Sequence, residues 1–297
     1  MCRAHCCDDP RGAIAHKVAR LTVLNALRVA MPFSEYGSST GKPVVYFHGV
    51  PGAPSEAAVL HDYARLAGLR VLSFNRLTLP VCATPEAYYL QIATAIRKEI
   101  GNMPVAMIGF SIGSHVALAT AAHLREQVTS LHLVSAVAPL QAGDFPNAMA
   151  GKAVFQLAHK QPWLFKLLAR WQAFLAPRFP TALFRMLFAS AQGQDQQLAS
   201  QADFQQFIAG VFIDCFGQGV DGYCRDIQRY LAPWSPPAFT HSPQIHLWHG
   251  SEDNWSPLGM AEYLAGALPG AVLHRGEGLS HYSCLYDAVP KIVRHVG

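Results

Sequence analysis

The chain has 297 residues, 51% of them apolar and 14% charged, with a net charge of +4. That composition excludes a disordered polymer, and the scattered Lys and Arg residues form no basic tract for nucleic acid. The length fits one large domain with an insertion. Seven cysteines, at 2, 6, 7, 82, 215, 224 and 284, are odd in number and contain no C-x-x-C pair. They read as free thiols in a reducing compartment, so a cytoplasmic protein is expected. No N-terminal apolar segment resembles a signal peptide. No run of about 18 apolar residues exists, and no membrane span is expected.

Residues 1–17 read as a flexible lead-in. Lys17 to Ala30 and Leu27 to Tyr36 read as an antiparallel pair at a sheet edge, with a turn over Ser38–Pro43. Val44–Phe47 is an apolar run without alternation, the pattern of a strand buried on both faces. Ser55–Ala67 reads as a helix ended by Gly68, and Arg70–Phe74 as the next strand. A loop over Asn75–Pro85 leads to a helix over Pro85–Ile100, closed by Gly101. Val105–Ile108 is a further buried strand, followed by a helix from Ser114 to Leu124 and a strand over Leu131–Val137. The alternation of strand and helix predicts a mostly parallel sheet covered by helices on both faces.

The alternation stops near Pro139. Residues 140–237 carry aromatic-rich helical runs over Val154–His159, Trp163–Leu175, Thr181–Ala191, Gln201–Phe216 and Gly222–Leu231. They read as an inserted helical lid over an apolar pocket. The core would then comprise 18–139 and 238–297. Gln244–Trp248 and Ala271–Arg275 read as strands, Leu258–Leu268 and Tyr286–His295 as helices. His281 falls in the Gly-rich loop between the last strand and the last helix.

Gly109-Phe110-Ser111-Ile112-Gly113 lies between a strand and a helix. G-x-S-x-G in that place is the pattern of a nucleophile elbow. A serine on a sharp, strained turn stands clear of the sheet. Side chains at 109 or 113 would strike the neighbouring backbone. The helix start after Ser111 aims backbone N–H groups at it, ready for negative charge. His48-Gly49-Val50-Pro51-Gly52 follows the Val44–Phe47 strand, and Gly49 allows a tight fold that turns the Val50 N–H towards the serine.

Four separated places, His48-Gly49, the Ser111 elbow, the Asp253 loop and the His281 loop, together resemble the α/β-hydrolase fold superfamily. The similarity covers roughly residues 20–297, the insertion only generically. It implies a lidded serine hydrolase with the order Ser111, Asp253, His281. Serine needs a base, which His281 would supply. Asp253 would hold the imidazole tautomer. The N–H groups of Val50 and Ile112 would form an oxyanion hole, with His48, Gly49, Gly109 and Gly113 in support. Glu252 and Asp144 are rivals for the acid; the Asp-x-x-x-Pro spacing after His249-Gly250 matches the superfamily's acid loop and favours Asp253. Arg76-Leu77-Thr78-Leu79-Pro80 departs from the Arg-Pro-Gly-x-Gly of many lidded relatives.

The expected reaction is hydrolysis of a carboxylic ester, thioester or lactone with an apolar acyl part, through an acyl-enzyme on Ser111. The same residues would serve a C–C bond or amide hydrolase or an acyltransferase, and some members of the superfamily bind ligands without turnover. No cofactor or metal is implied, because His and Cys do not cluster at zinc spacing. The expected partner is a small apolar ester-like substrate; the sequence gives no oligomeric state.

Overall fold

The computed structural model describes residues 31–80, 82 and 84–297. The expected lead-in over 1–17, the edge strand over Lys17–Ala30 and Cys2, Cys6 and Cys7 lie outside the described residues.

Seven strands form one sheet: β1 (Phe33–Gly37), β2 (Lys42–Phe47), β3 (Leu69–Phe74), β4 (Val105–Phe110), β5 (Val128–Val134), β6 (Gln244–Gly250) and β7 (Val272–Gly276). Their order is β1-β3-β2-β4-β5-β6-β7. Only β1 pairs antiparallel, with β3; the other five pairings are parallel. The reason lies in burial. Every residue of β4 is buried, as are Pro43–Phe47 of β2 and Ile245–Gly250 of β6. Strands buried on both faces need helices above and below, and parallel crossovers deliver them. β1 is half-buried apart from the exposed Glu35 and sits at the edge.

The core helices are α1 (His61–Leu66), α2 (Pro85–Ile100), α3 (Ile112–Leu124), α11 (Leu258–Ala267) and α12 (His281–Val296). Pro85 starts α2, the Thr84 hydroxyl accepts the Ala87 N–H, and Gly101 ends it at a positive φ. Tyr88, Ile92 and Ile96 recur at helical spacing on its buried side. α3 is buried nearly all round because it packs directly over the sheet.

Three local expectations change. The strand expected over Leu131–Val137 spans Val128–Val134 instead. Thr129 and Ser130 interrupt its apolar pattern, yet Ser130 still registers against Ala106 and Gln244. The helix expected over Ser55–Ala67 is a 3₁₀ stretch, Pro54–Leu60, running into α1. The last helix begins five residues earlier than expected, at His281, where the Ser283 hydroxyl accepts the Ser280 N–H at 2.8 Å.

Between β5 and β6 lie seven helices: α4 (Phe145–Ala148), α5 (Lys152–Lys160), α6 (Pro162–Arg178), α7 (Pro180–Leu187), α8 (Gln194–Ala199), α9 (Ala202–Gly217) and α10 (Asp221–Leu231). The short α4 and α8 carry no sequence periodicity of their own. Among the described residues no helix is long and apolar enough to cross a membrane. Leu187 and Phe212 of this insertion line a cavity with Gly49 and Ser111, which follow β2 and β4 at the carboxyl ends of the strands, where such sheets place ligands.

Candidate active site

Ser111 caps α3 with φ 53° and ψ −130°, a conformation that costs an L-residue energy and is held by its surroundings. Its N–H bonds the Val134 carbonyl at 3.0 Å, and its carbonyl accepts the Ser114 N–H at 2.9 Å. The glycines follow from space. A Cβ on Gly113 would lie 2.2 Å from the Phe47 carbonyl oxygen and 2.4 Å from that of His48. A Cβ on Gly109 would lie 2.6 Å from the Ser114 Cα. Strand β2 and helix α3 thus approach closely enough to hold the turn.

Asp253 lies in the loop after β6, fully enclosed. One carboxylate oxygen accepts the N–H groups of Trp255 and Ser256, both at 2.9 Å. The other accepts His281 Nδ1–H at 2.8 Å. His249 braces the same loop: its Nε2 donates to the Ser256 carbonyl at 2.6 Å. Burial keeps His249 neutral, with its pKa below the usual histidine value despite the nearby Asp253 charge. The rivals are elsewhere. Glu252 is exposed, and Asp144 is exposed and bonded to Asn147.

His281 is the first residue of α12, and its carbonyl accepts the Ser135 hydroxyl at 2.8 Å. Burial alone would lower its pKa. The Asp253 charge and hydrogen bond, with Asp195 and Glu56 beyond, outweigh burial and hold it above the usual value. Asp253 shows the complement: burial would raise it, but His281, His249 and the Ser256 N–H hold it low. With Nδ1–H committed to Asp253, Nε2 is the ring nitrogen left for the cavity. Ser111, His281 and Val50 line one cavity of about 30 Å³, walled by Phe110, Leu187, Phe212, Trp255 and Tyr282. Wider grooves of about 680 Å³ beside His274 and His295 and about 640 Å³ beside Tyr89 and Trp234 contain none of these three residues. Chemistry, rather than volume, marks the small one. Among the described residues no hydrogen bond joins Ser111 to His281; such contacts commonly tighten only with substrate bound.

His48 is wholly buried. Its Nδ1 donates to the Gly49 carbonyl at 2.9 Å, and burial followed by the Arg76 charge pushes its pKa well down. It braces backbone. Ile112 is the first residue of α3, so its N–H starts the helix beside Ser111.

Three buried polar groups escaped the sequence. Glu56, enclosed beneath the His48–Gly52 loop, accepts the Gly49 N–H at 2.7 Å and the Tyr46 hydroxyl at 3.0 Å. Burial pushes its pKa up to about 7, against the pull of those bonds and of Arg76 and His281. From the other side Arg76 donates to the His48 carbonyl at 2.8 Å and to Asp226 of α10 at 2.8 Å. The loop is therefore clamped between a core carboxyl and a guanidinium paired with the insertion. Asp195 of α8 accepts the N–H groups of Tyr282 (3.0 Å) and Ser283 (2.7 Å), the first turn after His281. A carboxylate at a helix N-terminus is favoured by both hydrogen bonding and the helix dipole. Nothing local signals these pairings: Asp195 sits in a Gln-rich stretch, and Glu56 reads as an ordinary first-turn acid. Among the described residues no group of three His, Cys, Asp or Glu could hold a metal ion.

No protein-family model matches the sequence, and no curated protein matches it. Solved structures do. An α/β hydrolase fold protein from Nakamurella multipartita superposes with a TM-score of 0.62 at 18% identity, covering 90% of this chain and 96% of that one. An esterase from Exiguobacterium antarcticum gives 0.57 at 18% identity, covering 90% and 93%. A bromoperoxidase from Bacillus anthracis gives 0.61 at 14% identity, covering 91% and 96%. With its strand order, its helical layers and these likenesses, the chain has the α/β-hydrolase fold.

Proposed function

We propose that this protein is a serine hydrolase of carboxylic esters, thioesters or lactones with an apolar acyl part. The observation that carries the reading is the His281–Asp253 bond of 2.8 Å beside a cavity shared with Ser111. In the first half-reaction His281 Nε2 takes the Ser111 proton as Oγ bonds to the carbonyl carbon. The Val50 and Ile112 N–H groups hold the oxyanion, each worth about 3–4 kcal/mol in such sites. Collapse breaks the bond to the leaving oxygen or sulfur, which departs with the proton from His281. Water then gives a proton to His281 and bonds to the acyl carbon; the second collapse releases the acid and returns the proton to Ser111. Asp253 holds the tautomer and steadies the imidazolium throughout. The apolar walls favour an apolar acyl group, and an esterase stands among the structural neighbours.

In this reading residues 140–237 act as a lid over a core of 18–139 and 238–297. A cavity of about 30 Å³ holds little more than one water. Leu187 and Phe212, both from the insertion, must move for an acyl chain to enter. Steady-state hydrolysis of p-nitrophenyl esters of two to ten acyl carbons tests the proposal. Expected are turnover that rises with chain length and a loss of about 10⁴-fold or more in kcat/KM for Ser111→Ala and His281→Ala. Unchanged turnover in either variant would refute it.

A further inference from the structure

We propose that the outward face of α6, built from Trp163, Leu167, Trp171 and Phe174, docks this protein on an anionic lipid surface. The helix is apolar on two sides. Phe165, Ala169, Gln172 and Ala176 face inward and are buried, so the packing of α6 on the protein is already satisfied. Trp163, Leu167, Trp171 and Phe174 recur at spacings of four, four and three. At helical geometry they fall on one stripe about 80° wide. Their exposures are 68%, 56%, 48% and 49%, and Phe179 just beyond adds 54%. Scattered exposed apolar residues are ordinary. Four on one helix face, two of them tryptophan, form a contiguous patch of the kind that marks an interaction site.

Charge selects the partner. Residues 145–194 contain Lys152, Lys160, Lys166, Arg170, Arg178 and Arg185 and no Asp or Glu, a local charge of +6 against +4 for the whole chain. By spacing Arg178 stands on the aromatic stripe and Arg170 at its margin, and the Arg178 guanidinium lies 4.4 Å over the Phe174 ring. Lys166 pairs with Asp221 of α10. Lys152, Lys160, Arg170, Arg178 and Arg185 form no ion pair among the described residues. Tryptophan and phenylalanine on one stripe with lysine and arginine beside it match the membrane interface, where rings sit at headgroup level and cationic heads reach phosphate. A second copy would set this positive face against itself. Residues 1–30 would do the same, with five Lys and Arg against two Asp. At 17 residues α6 is about 25 Å long and would lie in the plane of the surface.

Docking needs no turnover, so it stands or falls separately from the chemistry at Ser111. The test is sedimentation of the full-length protein with extruded vesicles of phosphatidylcholine containing 30% phosphatidylglycerol, against pure phosphatidylcholine. Expected are binding to the anionic vesicles, a loss of about fivefold in partitioning per neutralised cation in Lys160→Gln/Arg170→Gln, and release in 0.5 M NaCl. Trp163→Ser/Trp171→Ser/Phe174→Ser should lose tenfold or more while its thermal midpoint and hydrolysis of a water-soluble ester stay unchanged. Three results would overturn the proposal: no partitioning of the wild type, equal binding to pure phosphatidylcholine, or light scattering that shows a wild-type dimer dissociated by the triple substitution. If the triple variant fails to fold, the charge variant decides: full binding by Lys160→Gln/Arg170→Gln in low salt counts against an anionic partner.

Discussion

Asp195 links the inserted helices to the turn that carries His281, and its removal has two calculable effects. Its carboxylate accepts two buried N–H groups, from Tyr282 and Ser283. An exposed helix cap is worth about 0.5–2 kcal/mol because water replaces it. Here the residue is 1% exposed, so Asp195→Ala leaves two donors with no partner, at about 1–3 kcal/mol each. The losses are not additive, and about 3 kcal/mol is expected, with Asp195→Asn near half of that since one acceptor survives. Urea unfolding followed by tryptophan fluorescence measures it as a lowered midpoint at unchanged slope. The second effect is on protonation. Asp195 is one of the charges that hold the His281 pKa above its usual value. Without it the base stays unprotonated to lower pH, so the acid limb of kcat/KM moves to lower pH. A variant within 0.5 kcal/mol of wild type, with its acid limb in place, would refute both parts.

Three further outcomes follow from the same structure. Glu56, pushed up to about 7 by burial, binds its proton more tightly folded than unfolded. Its contribution is whole below about 4.5 and is lost as pH rises through 7. Glu56→Gln cannot ionise, so its stability relative to wild type should improve across that window by up to about 3 kcal/mol, and parallel pH–stability curves would contradict this. His132 behaves oppositely: burial first, then His246, His295 and His274, push it down to about 3. Stability is whole above 6.5 and is lost as pH falls towards 3, by up to about 5 kcal/mol; His132→Phe should flatten the acid side of the unfolding-midpoint profile. Gly113→Ala puts a Cβ 2.2 Å from the Phe47 carbonyl oxygen. It should cost more than 3 kcal/mol or abolish esterase activity, and a fully stable, active variant would show that the turn is not held as described.

Much of the frame was legible because it is written locally. Buried strands such as Val105–Ile108 read as unbroken apolar runs, and α2 announces its ends with Pro85 and Gly101. The Ser111 turn was visible because close backbone approach leaves glycine on both sides. Asp253 and Glu252 are neighbours in sequence, and only the family's loop pattern separated them. Asp253 is buried and accepts the Trp255 and Ser256 N–H groups, whereas Glu252 is exposed. What escaped is long-range and polar. Glu56, Arg76–Asp226 and Asp195 find their partners 7, 150 and 87 positions away, and no periodicity encodes such pairings. The start of α12 was missed for a related reason: Ser280-x-x-Ser283 is a weaker signature than one ending in Glu or Gln.

The central claim is that Ser111 is an activated nucleophile, served by His281 and Asp253. Its most direct test is intact-mass and peptide analysis of folded protein treated with a fluorophosphonate. Expected is one phosphonyl group per chain, on the peptide that contains Ser111, absent in Ser111→Ala and formed far more slowly in His281→Ala. Folded wild-type protein that remains unlabelled at Ser111, or is labelled equally fast in His281→Ala, would contradict it.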